Sequence, residues 1–142
     1  MNEVVVAELS LAEVVAGLLN NKPDNWEREA AHRLLAEHGI WPGNATFRKY
    51  MIGWRRSDGT IMVAVLWGDV ADDYKDGRIA ASGEDALVLK AALSHVASVE
   101  MGLWEIENVE PRTMRAIMRA QATGAGYDDY VDEWCPLDEH DR

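Results

Sequence analysis

The sequence contains very little cysteine, proline and phenylalanine. Its 142 residues include one cysteine, four prolines and one phenylalanine. A single thiol cannot form an internal disulfide, and a chain of this length buries enough apolar surface to fold without one. The first ten residues lack the basic and apolar stretches of a secretory signal, and the longest apolar run, 86–101, is too short and too interrupted to span a bilayer. We therefore expect one cytoplasmic domain with no membrane segment.

Positive charge is also scarce. The chain carries 25 acidic and 14 basic residues, for a net charge of −11. Acidic residues concentrate in 1–46, 69–110 and 127–142, whereas 47–68 and 111–126 are basic. A field of this sign repels nucleic acid and attracts basic partners. General nucleic-acid binding is therefore not expected, and a protein with a basic surface is the expected partner.

Capping residues and apolar periodicity predict about four helices. The first follows Ser10, the second begins near Asp24 and stops at Gly39, the third follows Ser82, and the fourth runs from Pro111 to about Gly124. The valines at 4–6 are compatible with a short strand or a helical turn. Residues 68–78 are predicted to form an acidic loop.

A hairpin is predicted over 47–67, with Asp58 and Gly59 as its two-residue loop. That loop would pair Ser57 with Thr60 and direct Trp54 and Ile52 to the core. Residues 103–109 are predicted as a third strand, with helix as the competing interpretation. The fold class is thus a single α+β domain, with about four helices on a small antiparallel sheet, over 1–126. Residues 127–142 would form an acidic, aromatic segment that is partly ordered at most.

No enzyme signature is present, so no catalytic residue, cofactor or metal is predicted. Glu29 and His32 have the Glu-x-x-His spacing of di-iron sites, but no second pair accompanies them. An EF-hand alignment of the acidic loop places Tyr74 and Gly83 where ligands are required.

Two sets of residues are candidates for binding. The acidic loop and the C-terminal segment could bind a partner through Asp69, Asp72, Asp73, Asp76, Tyr127, Asp128, Asp129, Tyr130, Asp132, Glu133 and Trp134. On the predicted fourth helix, Met114, Ile117 and Met118 share one face, and the opposite face carries Arg112, Arg115 and Arg119. These arginines could form an anion patch, unless the carboxylates at 128, 129, 132 and 133 fold back and neutralise it. Trp41 and Trp134 are the tryptophans expected to be exposed, whereas most of the others, Trp26, Trp54, Trp67 and Trp104, are expected in the core.

These features favour a non-enzymatic inhibitor, adaptor or regulator of bacterial or phage origin, and one version of this hypothesis has its carboxylates imitate nucleic acid. A second hypothesis is a small enzyme or ligand-binding domain with a pocket at His95, near Arg55 or Tyr50. A third is a subunit of a larger assembly, with an exposed apolar patch at Trp41 or at Met51, Met62 and Leu66. The sequence indicates no particular oligomeric state.

Overall fold

The computed structural model describes residues 2–137 and has an α+β fold, as predicted. One antiparallel sheet has the strand order β1-β2-β3 and comprises β1 (Asn2–Val4), β2 (Met51–Arg55) and β3 (Ile61–Val65). The described residues form six α-helices: α1 (Leu11–Asn20), α2 (Trp26–His38), α3 (Trp67–Lys75), α4 (Gly83–Val96), α5 (Pro111–Gly124) and α6 (Val131–Trp134). Short 3-10 turns occupy Val6–Glu8, Phe47–Tyr50, Leu103–Ile106 and Asp128–Tyr130.

The predicted number of four helices was too low. Most of the predicted acidic loop is the helix α3, whose buried face consists of Trp67, Val70 and Ala71. These three residues have the spacing of one helix face, but an apolar face of only three residues is too short to be recognised in a segment rich in aspartate. The four-residue α6 lies inside the C-terminal segment.

The third strand is at the N-terminal end of the described chain, and the prediction of a strand at 103–109 was wrong. Val4 of β1 pairs with Gly53 of β2. At 103–106 the chain instead forms a 3-10 turn that Glu105 closes. Its carboxylate accepts the Gly102 N–H at 2.7 Å and the Lys90 ammonium at 2.5 Å, which satisfies an amide that a strand would have paired.

The hairpin has a register one residue away from the predicted one. Its loop is Ser57, Asp58 and Gly59, because the Arg56 N–H donates to the Thr60 carbonyl and Gly59 has a φ of 87°. This is the three-residue loop with a left-handed glycine, and the Asp58 carboxylate accepts the Thr60 N–H. Because side chains alternate across a strand, Ile52 becomes exposed. The core-facing positions are instead the set Met51, Gly53, Val63 and Val65.

The helix α1 packs closely against the sheet at Gly17. A Cβ added there would lie 2.5 Å from Val63 Cγ2, so only glycine fits this approach. The side chains of Asn20 and Asn21, at the end of α1, donate to the Ile61 and Val63 carbonyls. These bonds use groups of β3 that an additional strand would otherwise pair with.

The helix α2 packs against α1, α4 and α5. The α5 face that meets this layer is built from small residues, namely Thr113, Ala116, Ala120 and Thr123, together with Ile117 and Arg119. The faces of α5 therefore differ from those expected, since Arg119 is buried and Met118 is exposed. Small side chains allow the two helices to approach closely, and this places Arg119 beside α2.

Candidate functional site

Three aromatic side chains of the C-terminal segment cluster on the surface. Tyr130 and Trp134 are stacked, with ring centroids 5.2 Å apart and planes inclined by 17°. Tyr127 contacts both, at 6.4 Å from Tyr130 and 5.3 Å from Trp134. All three remain about half exposed, and Trp134 has 57% of its surface accessible. We call these three residues the aromatic cluster; the predicted exposure of Trp134 is confirmed.

Trp26 extends this surface from the first turn of α2. A Cβ added at Gly126 would lie 3.6 Å from its indole Nε1, so the ring lies beside the residue that precedes Tyr127. Trp26 is half exposed, although its helical spacing predicted a core position. The sequence did not predict this exposure, because helical periodicity shows which residues share a face but not whether another segment covers that face.

Arg119 holds the segment that carries the aromatic cluster against the helices. Its side chain is 2% exposed and donates to both Glu37 carboxylate oxygens, at 3.0 and 2.7 Å. It also donates to Asp132 Oδ1 at 2.8 Å and to the Cys135 carbonyl at 2.5 Å. Burial opposes the charge, but the bonds to Glu37 and Asp132 raise the pKa of Arg119 above its ordinary value. One buried arginine thus joins α2, α5 and the C-terminal segment.

A second arginine anchors the beginning of the same segment. Arg33 of α2 donates to Asp128 Oδ1 at 2.7 Å, and its other terminal nitrogen lies 3.5 Å from Glu37. The same Asp128 oxygen accepts the Thr123 hydroxyl at 3.0 Å. Of the four carboxylates that the alternative to an anion patch involved, Asp128 and Asp132 therefore fold back onto the helices, onto Arg33 of α2 and Arg119 of α5 respectively.

Two carboxylates beside the rings point to solvent. Asp129 and Glu133 are exposed, and neither forms an ion pair with another residue of 2–137. Asp132 is 87% exposed in its side chain although it also contacts Arg119. The surface thus combines flat apolar rings with outward carboxylates, a combination that suits a cationic ligand.

The proposed anion patch is distributed over different environments. The Arg119 guanidinium is enclosed, whereas Arg112 is exposed and donates to the His38 carbonyl. Arg115 is partly buried and has interactions of its own. The three arginines therefore do not present equivalent guanidinium groups.

The other acidic candidates, those of the predicted acidic loop, lie on and just after α3. They line a depression of about 590 Å³ together with Lys49, Lys75 and Arg78. Asp69, Asp72 and Asp73 are on the helix and Asp76 follows it. Asp73 accepts the Tyr50 hydroxyl at 2.6 Å, a bond that raises the pKa of Tyr50. The bonds of this set are with the Phe47–Tyr50 turn and Arg78, whereas those of the C-terminal segment are with α2 and α5.

His95 is packed against α5 and is not among the residues that line the depression at α3 or the one at His38. A Cβ added at Gly124 would lie 2.9 Å from its Nδ1, and burial lowers the pKa of this imidazole despite the opposing charge of Glu27. Arg55 donates to the Gly59 carbonyl at the hairpin loop.

Three hydrogen-bonded polar side chains, those of Glu84, Thr113 and His38, line a second depression of about 570 Å³. The Thr113 hydroxyl donates to Glu84 at 2.8 Å and lies 3.2 Å from His38 Nε2. Because the hydroxyl proton is committed to Glu84, His38 must donate from Nε2. Burial lowers the pKa of His38, which favours the neutral ring. Thr113 is buried, and these hydrogen bonds join the end of α2 to the beginnings of α4 and α5.

The apolar residues expected on an assembly surface are mostly buried. Trp41 is enclosed and its Nε1 donates to the Asp85 carbonyl, while Met51 and Met62 are also buried. Trp41 was therefore wrongly predicted to be exposed. Among residues 2–137, the most exposed large apolar residues are instead Leu103 and Trp104, at 84% and 73%.

Within 2–137, no group of three or more histidine, cysteine or acidic side chains could hold a metal ion. Over the same range, every helix lacks the length or the apolar character needed to cross a bilayer. The last five residues of the predicted C-terminal segment, 138–142, lie outside the described residues. Comparisons of the chain with protein-family models, curated proteins and solved structures found no match.

Proposed function

We propose that the protein acts by binding a basic segment of another protein through the aromatic cluster and its neighbouring carboxylates. The observation that carries this proposal is the stacked, half-exposed pair Tyr130 and Trp134 on a segment held by the buried Arg119 and the partly buried Arg33. Apolar rings left at the surface in a group, and not singly, are typical of interaction sites. Regulation or inhibition of the partner, or an adaptor role, would follow from such binding.

The charge of the molecule supports a cationic partner. A net charge of −11 accelerates the approach of a basic protein at low salt and slows that of a nucleic acid. At the surface itself, tryptophan and tyrosine faces attract cations by about 0.5–1 kcal/mol each when exposed, and by more once the contact is desolvated. The exposed carboxylates of Asp129 and Glu133 would form ion pairs with the bound basic segment at the edge of the rings.

The experiment measures fluorescence anisotropy of a labelled peptide in which arginine and lysine alternate with glycine and serine. Wild-type protein should bind it, with affinity that falls as salt rises. Trp134→Ala should weaken binding by about tenfold, as for a central aromatic of an interface. Circular dichroism must show that the variant remains folded.

Trp104→Ala is the matched control, because it removes an even more exposed tryptophan from the 3-10 turn Leu103–Ile106, which Glu105 joins to Lys90 of α4. It should leave the affinity unchanged. Equal affinities of wild type, Trp134→Ala and Trp104→Ala would refute the proposal, as would the absence of binding at low salt.

A further inference from the structure

We infer that the partner segment is rich in arginine and not lysine, and that its guanidinium groups stack on the outward faces of Tyr130 and Trp134. This inference rests on the function proposed above and identifies the side chain that the surface selects. It depends on the arrangement of the rings and on the position of the carboxylates beside them.

The rings of the aromatic cluster pack on one another and do not surround a shared space. Tyr130 and Trp134 are nearly parallel at 5.2 Å, which leaves no room for a cation between them. Tyr127 closes one side, with its centroid 5.3 Å from that of Trp134. A cage for a compact ammonium needs several ring faces turned toward one point. Here the ligand instead meets flat faces from outside.

A flat, open face favours a planar cation. The guanidinium of arginine is planar, stacks on aromatic rings and is more weakly hydrated than an ammonium. Stacking also leaves its five N–H donors in the plane of the group, where they remain available for carboxylates. The lysine ammonium is a strongly hydrated point charge, and its contact with an exposed ring gains little over water.

The carboxylates occupy positions that such in-plane donors could reach. Asp129 and Glu133 directly precede Tyr130 and Trp134 in a run that is a 3-10 helix over Asp128–Tyr130 and an α-helix over Val131–Trp134. All four residues are exposed, and we infer that the two carboxylates form a carboxylate row beside the row of the two stacked rings. An arginine stacked on the ring row would therefore have a carboxylate row beside it, and could bond it in a forked geometry.

The test compares two labelled peptides of identical length and spacing, one with arginine and one with lysine at every basic position. We expect wild-type protein to bind the arginine peptide about tenfold more tightly. Tyr130→Leu keeps apolar volume but removes one ring face, and it should reduce the preference to about twofold. Trp104→Ala should retain the full preference.

The carboxylate row has its own variant. Asp129→Asn with Glu133→Gln should weaken both peptides and reduce the dependence on salt, while part of the arginine preference persists through stacking. If neither peptide binds the wild type, the proposed function itself fails. If both bind equally, or lysine binds more tightly, the function stands and the arginine inference is refuted. A preference that survives Tyr130→Leu and Trp134→Ala unchanged would also refute it.

Discussion

Replacing Arg119 by methionine should destabilise the fold strongly while nearly conserving its volume. The guanidinium is enclosed and forms two bonds to Glu37, one to Asp132 and one to the Cys135 carbonyl. Methionine leaves the largely buried Glu37 carboxylate with Arg33 alone, at 3.5 Å. Removing one partner of a buried ion pair costs about 3–5 kcal/mol. Because Arg33 remains and Asp132 is solvated, we expect the lower end, about 3 kcal/mol.

Urea denaturation followed by circular dichroism measures this change, and a melting curve should show a decrease in Tm of about 10 °C for a domain of this size. The control is Lys22→Met. Lys22 is 65% exposed in its side chain and pairs with Glu29 at 3.2 Å, so its removal should cost less than about 1 kcal/mol. Equal free energies of unfolding for Arg119→Met and Lys22→Met would refute the assignment of Arg119 as a buried anchor.

Three further predictions concern the scaffold. Gly17→Ala should lower the free energy of unfolding by about 1–3 kcal/mol, because the new Cβ would collide with Val63; Gly68→Ala, with open space around it, should raise it by about 0.5 kcal/mol. Ser10→Ala should cost about 1 kcal/mol in the same urea assay, through loss of the cap on the Glu13 N–H at 3.1 Å; no change would contradict the capping role. Burial lowers the pKa of His32 from 6.5 to about 4, so only the unfolded chain binds this proton between those values, and stability should fall as pH drops through that window by at most about 3 kcal/mol. In a pH series of melting curves, His32→Phe should flatten this dependence, and an unchanged slope would exclude His32 as its source.

The helix boundaries that were predictable are those set by local chemistry. Ser10 and Glu13 form the expected capping box, and Gly39 adopts the left-handed conformation that ends α2. Pro111 opens α5 and Gly124 closes it, as expected. In each case the decisive contacts lie within a few residues of each other, so the sequence alone contains them.

The hairpin shows how a local uncertainty becomes a global error. The turn at Asp58 and Gly59 was identified, but whether its loop holds two or three residues depends on the bond from Arg56 to Thr60. One extra loop residue moves every side chain of β2 to the opposite face relative to expectation. That is why Ile52 is exposed while Met51 is buried.

Exposure of the tryptophans was the least predictable feature. Trp41 is buried although it lies in a turn whose sequence resembles a surface loop. Trp104 is exposed on a 3-10 turn whose sequence has the alternating apolar pattern of a strand. Burial depends on which distant segment covers a residue, and amphipathic spacing does not report that. The burial of Arg119 was missed for the same reason. The helical pattern of α5 places Arg119 on one face with Arg112 and Arg115, whereas in the structure it is enclosed between α2 and the C-terminal segment.

The burial of Arg119 connects stability with the proposed recognition. A segment that is ordered only on binding must lose conformational entropy at that moment, which weakens its affinity. Here Arg119 and Arg33 fix the run from Asp128 to Trp134 in advance, so the rings are already arranged for a ligand. Asp132→Asn removes the charge of one anchoring bond to Arg119 and substitutes none of the three aromatic residues. We therefore expect this variant to weaken arginine-peptide binding beyond the effect of its lost charge, which Glu107→Gln, at an exposed carboxylate outside the proposed binding surface, measures separately. Equal losses in the two variants would mean that the anchor stabilises the fold without preorganising the surface.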